Sequence, residues 1–375
     1  MRVAHVGNYK PDSPNGVDKT IVGLVRHLGA QKVEVEVWHP SRHVDRTVER
    51  CEDGIRIVDL PVSRTLKGIC RFGEGVAGFL KSRVGPVDLL HFHSVFQQEN
   101  LKLAHLGIPY VVTPNGGYDR LVLAGRNRVA KSIWMALWER PYLKRARLIQ
   151  AVSAPELATI ESLSLPTPVR FIPNGIDETV FHRAVEPPSR LNYFLFLGRL
   201  AIDQKGLDLL LEGYAKAFAR LPTMPRLVLA GPDFRGGREQ LAAFARKLGI
   251  AAQVAFPGAV QGEAKWGLLA GARLFVHTSR WEGMPFALLE ALALGRPVLV
   301  TPATNLAADV GEAAAGVVVA SEVDAIADGL LEAAALSDER LDRMGGNARS
   351  MAQAKFAWQN IARALSRDYR SIALR

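Results

Sequence analysis

The chain has 375 residues, 48% of them hydrophobic and 22% charged, with a formal net charge of +10. That apolar content fills packed cores and excludes a disordered or low-complexity protein, and the length suits roughly two or three domains. Two cysteines, Cys51 and Cys70, are too few for a disulfide framework or a zinc site.

The opening run, Met1-Arg-Val-Ala-His-Val-Gly, reads as a short strand ending in glycine. It lacks the basic-then-apolar leader pattern, so a cytoplasmic location is expected. No apolar run approaches the roughly 20 residues that cross a bilayer as a helix. Strands are predicted near 2–7, 33–38, 55–60, 87–93, 109–113, 148–152 and 169–172, with helical patterns between most of them, notably at 17–29, 96–105 and 127–145. After Pro187-Pro188 the alternation restarts, with strands near 193–198, 226–230, 253–257, 273–278, 297–301 and 316–319. Helices fall between these near 205–220, 236–248, 262–271, 286–294 and 322–336. Phe194-Leu-Phe-Leu and Leu227-Val-Leu-Ala are continuous apolar runs, as strands covered on both faces are. The pattern predicts an α/β chain of two doubly wound parallel sheets in tandem, each with its own core, joined by a short hinge near 180–190. Ligands of such sheets bind beyond the carboxyl ends of the strands, and the cleft between two facing sheets is the expected site.

Several loops carry residues suited to an anionic ligand. Gly7 ends the first strand and Asn15-Gly16 precedes a helix, whose free amides favour an anion. The segment is not G-x-G-x-x-G, so a nicotinamide cofactor gains no support. In the second half, Leu197-Gly198-Arg199-Leu200 is followed by Asp203-Gln204-Lys205-Gly206. A cation at a helix start opposes the macrodipole, and an anion shared by Arg199, Lys205 and the helix end would resolve that conflict. The stretch from Ser279 to Pro297 places Glu282 in a glycine-containing loop and Glu290 within an apolar helix that starts near Pro285. A carboxylate among Ala and Leu is costly without hydrogen-bond donors, and sugar or ribose hydroxyls are good ones. Taken singly, each has a plainer reading: an ordinary turn at Gly16, solvated charges at Arg199 and Lys205, and backbone amides satisfying Glu290.

The ordered set is more specific. Glu282 to Glu290 forms E-x7-E within EGMPFALLEALALGRPV. With LGRL, QKGLDLLLEGY, LVLAGPD, VAFPGAV, IPNGID and the Asn15-Gly16 loop, it resembles the retaining nucleotide-sugar glycosyltransferases of GT-B fold, the GT4 family, over nearly the whole chain. The resemblance implies two Rossmann-like domains facing across a cleft, an acceptor-side domain over 1–183 and a donor domain over 184–355, with 356–375 packing back on the first. By the same resemblance Arg199 and Lys205 hold the donor diphosphate, and Glu290 binds the ribose hydroxyls. Glu282 lies near the transferred sugar, and Gly283, Met284, Pro285 and Phe286 present backbone amides. Gly16 closes on the diphosphate, Gly198 and Gly231 belong to the donor site, and Gly258, Ala259 and Val260 flank the base. Glu282, Arg199 and Lys205 are the implied catalytic residues, and His93 and Asn115 lie on the acceptor side.

The sequence departs from the family at two places. Asn15 stands where the first of two paired glycines is common. Thr113-Pro114-Asn115-Gly116-Gly117 stands where a histidine often lies, and an asparagine is neither acid nor base at neutral pH. The expected reaction therefore stabilises the leaving nucleoside diphosphate with cations and helix amides, without a metal and without a cofactor beyond the UDP-sugar or GDP-sugar substrate. No DxD-like acidic cluster follows a strand.

The charge excess lies mostly before about residue 150 and is densest over 126–147, which favours polyanionic partners. Ile133, Trp134, Leu137 and Trp138 there fall near one helical stripe among Arg and Lys, which fits either an interfacial helix on anionic lipid or a core helix with a solvated polar face. The expected acceptor is a saccharide or lipid-linked molecule at the inner face of the cell membrane, in bacterial polysaccharide or glycolipid assembly. No nucleic-acid module is present, so nucleic acid is not an expected partner. The alternative is a catalytically silent GT-B protein that binds a nucleotide or a partner.

Overall fold

The computed structural model describes residues 1–13, 15–66, 68–125, 127–183 and 192–373. The chain divides into two compact units: Met1–Gly175 with Trp358–Arg375, and Ile176–Ala357. These boundaries fall before the expected 183/184 division and after the expected 355/356 return. The first difference has a local cause. Ile176, Val180 and Phe181 are buried in the core of the second unit, so the helix Glu178–Phe181 belongs there. Pro187-Pro188 lies outside the described residues.

The strands of the first unit are β1 (Arg2–Val6), β2 (Glu34–Ser41), β3 (Val48–Glu52), β4 (Ile55–Arg64), β5 (Cys70–Phe72), β6 (Leu89–His93), β7 (Tyr110–Thr113), β8 (Leu148–Ala151) and β9 (Val169–Phe171). They form one sheet in the order β3-β4-β2-β1-β6-β7-β8-β9, with β5 beside β4. The pairs β3–β4 and β4–β5 are antiparallel and the others parallel. β6 and β7 are buried along their whole length, and the polar residues they carry, His91, His93 and Thr113, are therefore buried too.

Asn15 caps the helix Gly16–Leu28 by accepting from the Val17 amide at 2.9 Å. This helix packs against the last one, Trp358–Ala373, and Thr20 Oγ1 donates to Asn174 Oδ1 of the IPNGID segment at 3.0 Å. Trp358 fills the space left by two glycines. A Cβ on Gly23 would lie 2.1 Å from its ring, and one on Gly175 would lie 2.5 Å away.

The second unit carries β10 (Tyr193–Leu197), β11 (Arg226–Ala230), β12 (Val254–Gly258), β13 (Leu274–His277), β14 (Val298–Val300) and β15 (Gly316–Val318). They pair in parallel in the order β12-β11-β10-β13-β14-β15. The strand order therefore reverses between β10 and β13, and in the first unit between β1 and β6. Such reversals open a crevice at the carboxyl ends of the strands on either side, where open α/β sheets take their ligands.

Candidate active site

At the reversal in the second unit, the loop after β10 carries Arg199 and Lys205. Lys205 ends a short helix, Ile202–Lys205, and Gly206 turns the chain at φ 60° into the long helix Leu207–Arg220. Lys205 thus precedes the long helix instead of occupying its start. A Cβ on Gly206 would lie 2.2 Å from the Thr278 carbonyl oxygen, so the loops after β10 and β13 meet through a position only glycine fits.

That contact brings Lys205 to Glu282. Lys205 Nζ donates to Glu282 Oε1, from a largely covered lysine to a buried carboxylate. The same oxygen accepts from Ser279 Oγ at 2.7 Å and bonds His277 Nε2 at 3.0 Å. Burial pushes the Glu282 carboxyl up, but the charge of Lys205 and the bond to His277 outweigh it and bring it down to about 2. Burial lowers the His277 pKa, opposed by Glu282. The imidazole is therefore neutral at pH 7 with its proton on Nε2, facing the carboxylate. Asn305 Nδ2 donates to the carbonyls of Glu282 (2.6 Å) and Gly283 (3.0 Å), fixing the loop from behind.

Arg199 is exposed beside the Phe234 ring, 5.2 Å from its centroid, and Nη2 donates to Gln204 Oε1 at 3.5 Å. The turn before it is tight, because a Cβ on Gly231 would lie 1.9 Å from the Gly198 carbonyl oxygen. Gly258 ends β12 and accepts from the Gly231 amide at 2.8 Å, while Val260 is half-buried. Pro285 precedes the helix Phe286–Ala293, and Met284 and Phe286 are buried, so this segment offers chiefly its backbone. Glu290, inside that helix, is 5% exposed and accepts from Lys265 Nζ at 3.0 Å. The two carboxylates of E-x7-E thus hold different lysines. His277, Ser279, Asn305 and Lys265 were not singled out in the sequence. His277 ends an apolar strand and Ser279 is three residues before Glu282, but neither signal is specific.

In the first unit, His93 ends β6 and bonds His5 of β1, its Nε2 lying 3.0 Å from His5 Nδ1. His91 belongs to an ordered chain. Gln150 donates to the Ile172 carbonyl, so its Oε1 accepts from Thr113 Oγ1 at 3.0 Å. Thr113 in turn accepts from His91 Nε2 at 2.6 Å, and His91 Nδ1 accepts from Tyr369 of the last helix at 2.5 Å. Burial lowers His5 to about 3 and lowers His91 and His93 well below the usual range, so all three are neutral. Their ligating atoms lie within 4.8 Å of one another, the described group in which a metal could be sought. Both nitrogens of His91 are already bonded, and the group is built as a hydrogen-bonded network.

Asn115 adopts φ 56° and turns its amide back on the Thr113 carbonyl at 3.1 Å. The buried Glu156 carboxylate holds the following turn by accepting from the Gly116 and Val152 amides at 2.7 and 3.0 Å. A pocket of about 320 Å³ opens beside His93, bounded by Gly7, Asn8 and Asn15; Gly16 and Asn115 lie outside its lining.

The basic stretch forms the helix Arg128–Trp134, a π-helical turn Met135–Glu139 and the helix Arg140–Arg145. Glu139 is buried and accepts from Trp134 Nε1, Tyr118 Oη and the Phe96 amide at 2.7, 2.7 and 3.2 Å. Val129, Ile133, Leu137 and Trp138 are 72, 52, 59 and 47% exposed. The core-helix reading therefore fits Trp134 but not its apolar neighbours.

Residues 14–180 match the model of Glycosyltransferase Family 4, and residues 177–351 match that of Glycosyl transferases group 1. The chain belongs to the GT4 glycosyltransferases. This glycosyltransferase is 27% identical to the GDP-mannose:cellobiosyl-diphosphopolyprenol alpha-mannosyltransferase of Xanthomonas campestris, over 96% of this chain and 94% of that one. It is 25% identical to the phosphatidyl-myo-inositol mannosyltransferase of Mycolicibacterium smegmatis, over 100% and 94%. Its fold is GT-B. Among solved structures it is similar to Anabaena HepE in complex with UDP and glucose, with a TM-score of 0.75 at 17% identity over 99% of this chain and 100% of that one.

Proposed function

We propose that this glycosyltransferase moves a sugar from a nucleotide-diphosphate sugar, UDP- or GDP-linked, to an acceptor hydroxyl with retention of configuration. The acceptor is a saccharide or lipid-linked molecule in bacterial polysaccharide or glycolipid assembly. The observation that carries this reading is the Lys205–Glu282–His277 cluster, with Glu282 and His277 buried, at the strand-order reversal of the second unit. An arriving diphosphate would give Lys205 a second anion beside Glu282 and the exposed Arg199 its first. As the C1–O bond to phosphate breaks, charge grows on the leaving oxygen. Cations and helix amides already in place stabilise it more than the ground state, each such donor contributing roughly 3 kcal/mol.

In the retaining step the acceptor oxygen bonds C1 on the face the phosphate leaves, and the acceptor proton passes to the departing phosphate oxygen. Asn115 has no basic group, and this route requires none. Glu290 receives the ribose hydroxyls beside Lys265. Charge neutralisation is assigned to Arg199, Lys205 and backbone amides instead of a metal ion.

Two relatives are named for acceptors linked to polyprenol diphosphate or phosphatidylinositol. Among the described residues no helix is long and apolar enough to cross a membrane. The exposed apolar stripe at 129–138 supports docking at the inner face of the cell membrane instead. Over 120–147 the only acidic residue in the sequence is Glu139, which is buried, so that segment presents cations and apolar groups to an anionic bilayer with no exposed carboxylate.

The test is a thermal-shift panel with UDP, GDP, ADP, CDP and dTDP on wild type and Lys205→Ala, followed by NMR of the product linkage. A ligand at a hundred times its Kd stabilises by roughly 2.7 kcal/mol, a readable shift. One nucleotide stabilising the wild type and failing on the variant supports the reading. An inverted linkage rejects retention. A nucleotide shift without turnover on any lipid-linked acceptor would favour the silent binder.

A further inference from the structure

The first unit has its own reversal of strand order, between β1 and β6, and the pocket of about 320 Å³ opens there. Two buried polar atoms of its lining residues are short of partners: His93 Nδ1, on a residue 3% exposed, has none, and Glu99 Oε2, on one 7% exposed, has no donor beyond the weak Cys70 thiol beside its carboxylate. Buried polar atoms are normally hydrogen-bonded, so such orphans beside a cavity mark where a ligand supplies the missing group. A carboxylate oxygen accepts only. His93 Nδ1 donates or accepts according to which way its bond to His5 runs. A hydroxyl, which is both donor and acceptor, satisfies either atom.

The pocket also holds two arginines in different states. Arg64 Nη2 is 3.2 Å from Glu99 Oε1 and Nη1 is 3.3 Å from the Gly68 carbonyl oxygen. Arg42 makes no hydrogen bond or ion pair among the described residues. His39 holds Asp59 through Nδ1 at 2.8 Å. A neutral sugar needs no unpaired guanidinium, whereas a phosphate matches its fork of donors.

We infer that this pocket takes a polyol or sugar bearing a phosphate, with Arg42 and Arg64 on the phosphate and Glu99 and His93 on ring hydroxyls. The inference rests on the proposed transfer reaction, for which it names the acceptor class. The same phosphate can be soluble or lipid-borne, and the two sources are separable.

Titration calorimetry would use glucose 1-phosphate, myo-inositol 1-phosphate, glucose and myo-inositol on wild type, Arg42→Gln and Glu99→Gln. A parallel arm would use phosphatidylcholine vesicles with and without phosphatidylinositol. At least one phosphorylated probe is expected to bind the wild type at least tenfold more tightly than its unphosphorylated parent. Arg42→Gln should abolish that preference, and Glu99→Gln should weaken binding while keeping it. An Arg42-dependent response confined to phosphatidylinositol vesicles supports the same pocket with a lipid-borne phosphate. Equal affinity in wild type and Arg42→Gln, or no response to any probe, overturns the inference. The nucleotide panel keeps the two readings apart. A nucleotide shift lost on Lys205→Ala with no Arg42 effect removes only the acceptor class. The reverse pattern removes the donor reading and leaves a phosphate pocket.

Discussion

His277 Nε2 lies 3.0 Å from Glu282 Oε1, the oxygen that Lys205 also holds. One carboxylate oxygen therefore joins the last residue of β13 to the loop after β10. Together Lys205 and His277 hold this carboxylate near 2, against 4.5 for a free glutamate, which corresponds to roughly 3 kcal/mol in favour of the fold.

The sign follows from a lowered folded-state pKa. The stabilisation is complete above about 4.5 and is lost as pH falls towards 2. Lys205→Met should lower stability by about 3 kcal/mol near neutral pH, because it leaves a buried carboxylate without its cation. Denaturant unfolding as a function of pH checks this. The gap between wild type and variant should narrow as pH falls, beginning above the free-glutamate value because burial raises the carboxyl once its cation is gone, and continuing towards 2; a constant gap would contradict the assignment.

Glu290→Gln keeps the shape of the side chain but removes the charge facing Lys265, 3.0 Å away. If Glu290 receives the ribose, nucleotide Kd should rise at least tenfold, by about 1.4 kcal/mol, with a smaller loss of Tm. Calorimetry on both forms decides. Unchanged affinity with a lowered Tm would make Glu290 a structural carboxylate.

Gly206→Ala places a methyl group 2.2 Å from the Thr278 carbonyl oxygen at φ 60°. The loops after β10 and β13 must separate to admit it, at a cost of about 1–3 kcal/mol. A Tm lower by several degrees and a weaker nucleotide shift should appear together, since Lys205 is the adjacent residue.

The exposed stripe and the buried Glu139 behind it should separate cleanly. Ile133→Asp with Leu137→Asp alters only exposed side chains, so unfolding free energy should change by no more than about 0.5 kcal/mol per site. Recovery with anionic vesicles at low salt should fall to the level seen with neutral ones. Glu139→Gln should lower Tm, because one carboxylate serves Phe96, Tyr118 and Trp134. Equal recovery of wild type with both vesicle types would reject docking.

Trp358→Ala should cost about 3–5 kcal/mol. Gly23 and Gly175 cannot fill the space it leaves.

The positions of most strands were legible because central strands covered on two faces tend to be apolar runs, as Phe194-Leu-Phe-Leu is, whereas their order in each sheet was not read from the sequence. β3 and β5 were missed for the complementary reason. Val-Glu-Arg-Cys-Glu of β3 is mostly exposed at the sheet edge and carries no core signal, and β5 has three residues. The helix Asp338–Phe356 was also missed, since Gly345-Gly346 interrupts its period. Gly345 has a packing reason, since a Cβ on it would lie 2.1 Å from the Gly295 carbonyl oxygen, whereas a Cβ on Gly346 would meet nothing within 4 Å. Glu282 and Glu290 were visible as carboxylates in an apolar setting, but their lysines are 77 and 25 residues away, and the choice of partner is made by loops. The π-helical turn at 135–139 left no mark, because its apolar residues still fit an ordinary helical period.

The assignment of Trp358–Arg375 to the first unit has a consequence for biosynthesis. The second unit is one uninterrupted segment and can complete itself while its ribosome is still translating. The first cannot: the ring that seats between Gly23 and Gly175, and the Tyr369 hydroxyl that orders His91, are encoded after the whole of the second unit. The half made first is therefore finished last, and a nascent chain stalled before residue 358 would expose the apolar flank of its opening helix to whatever chaperone is at hand.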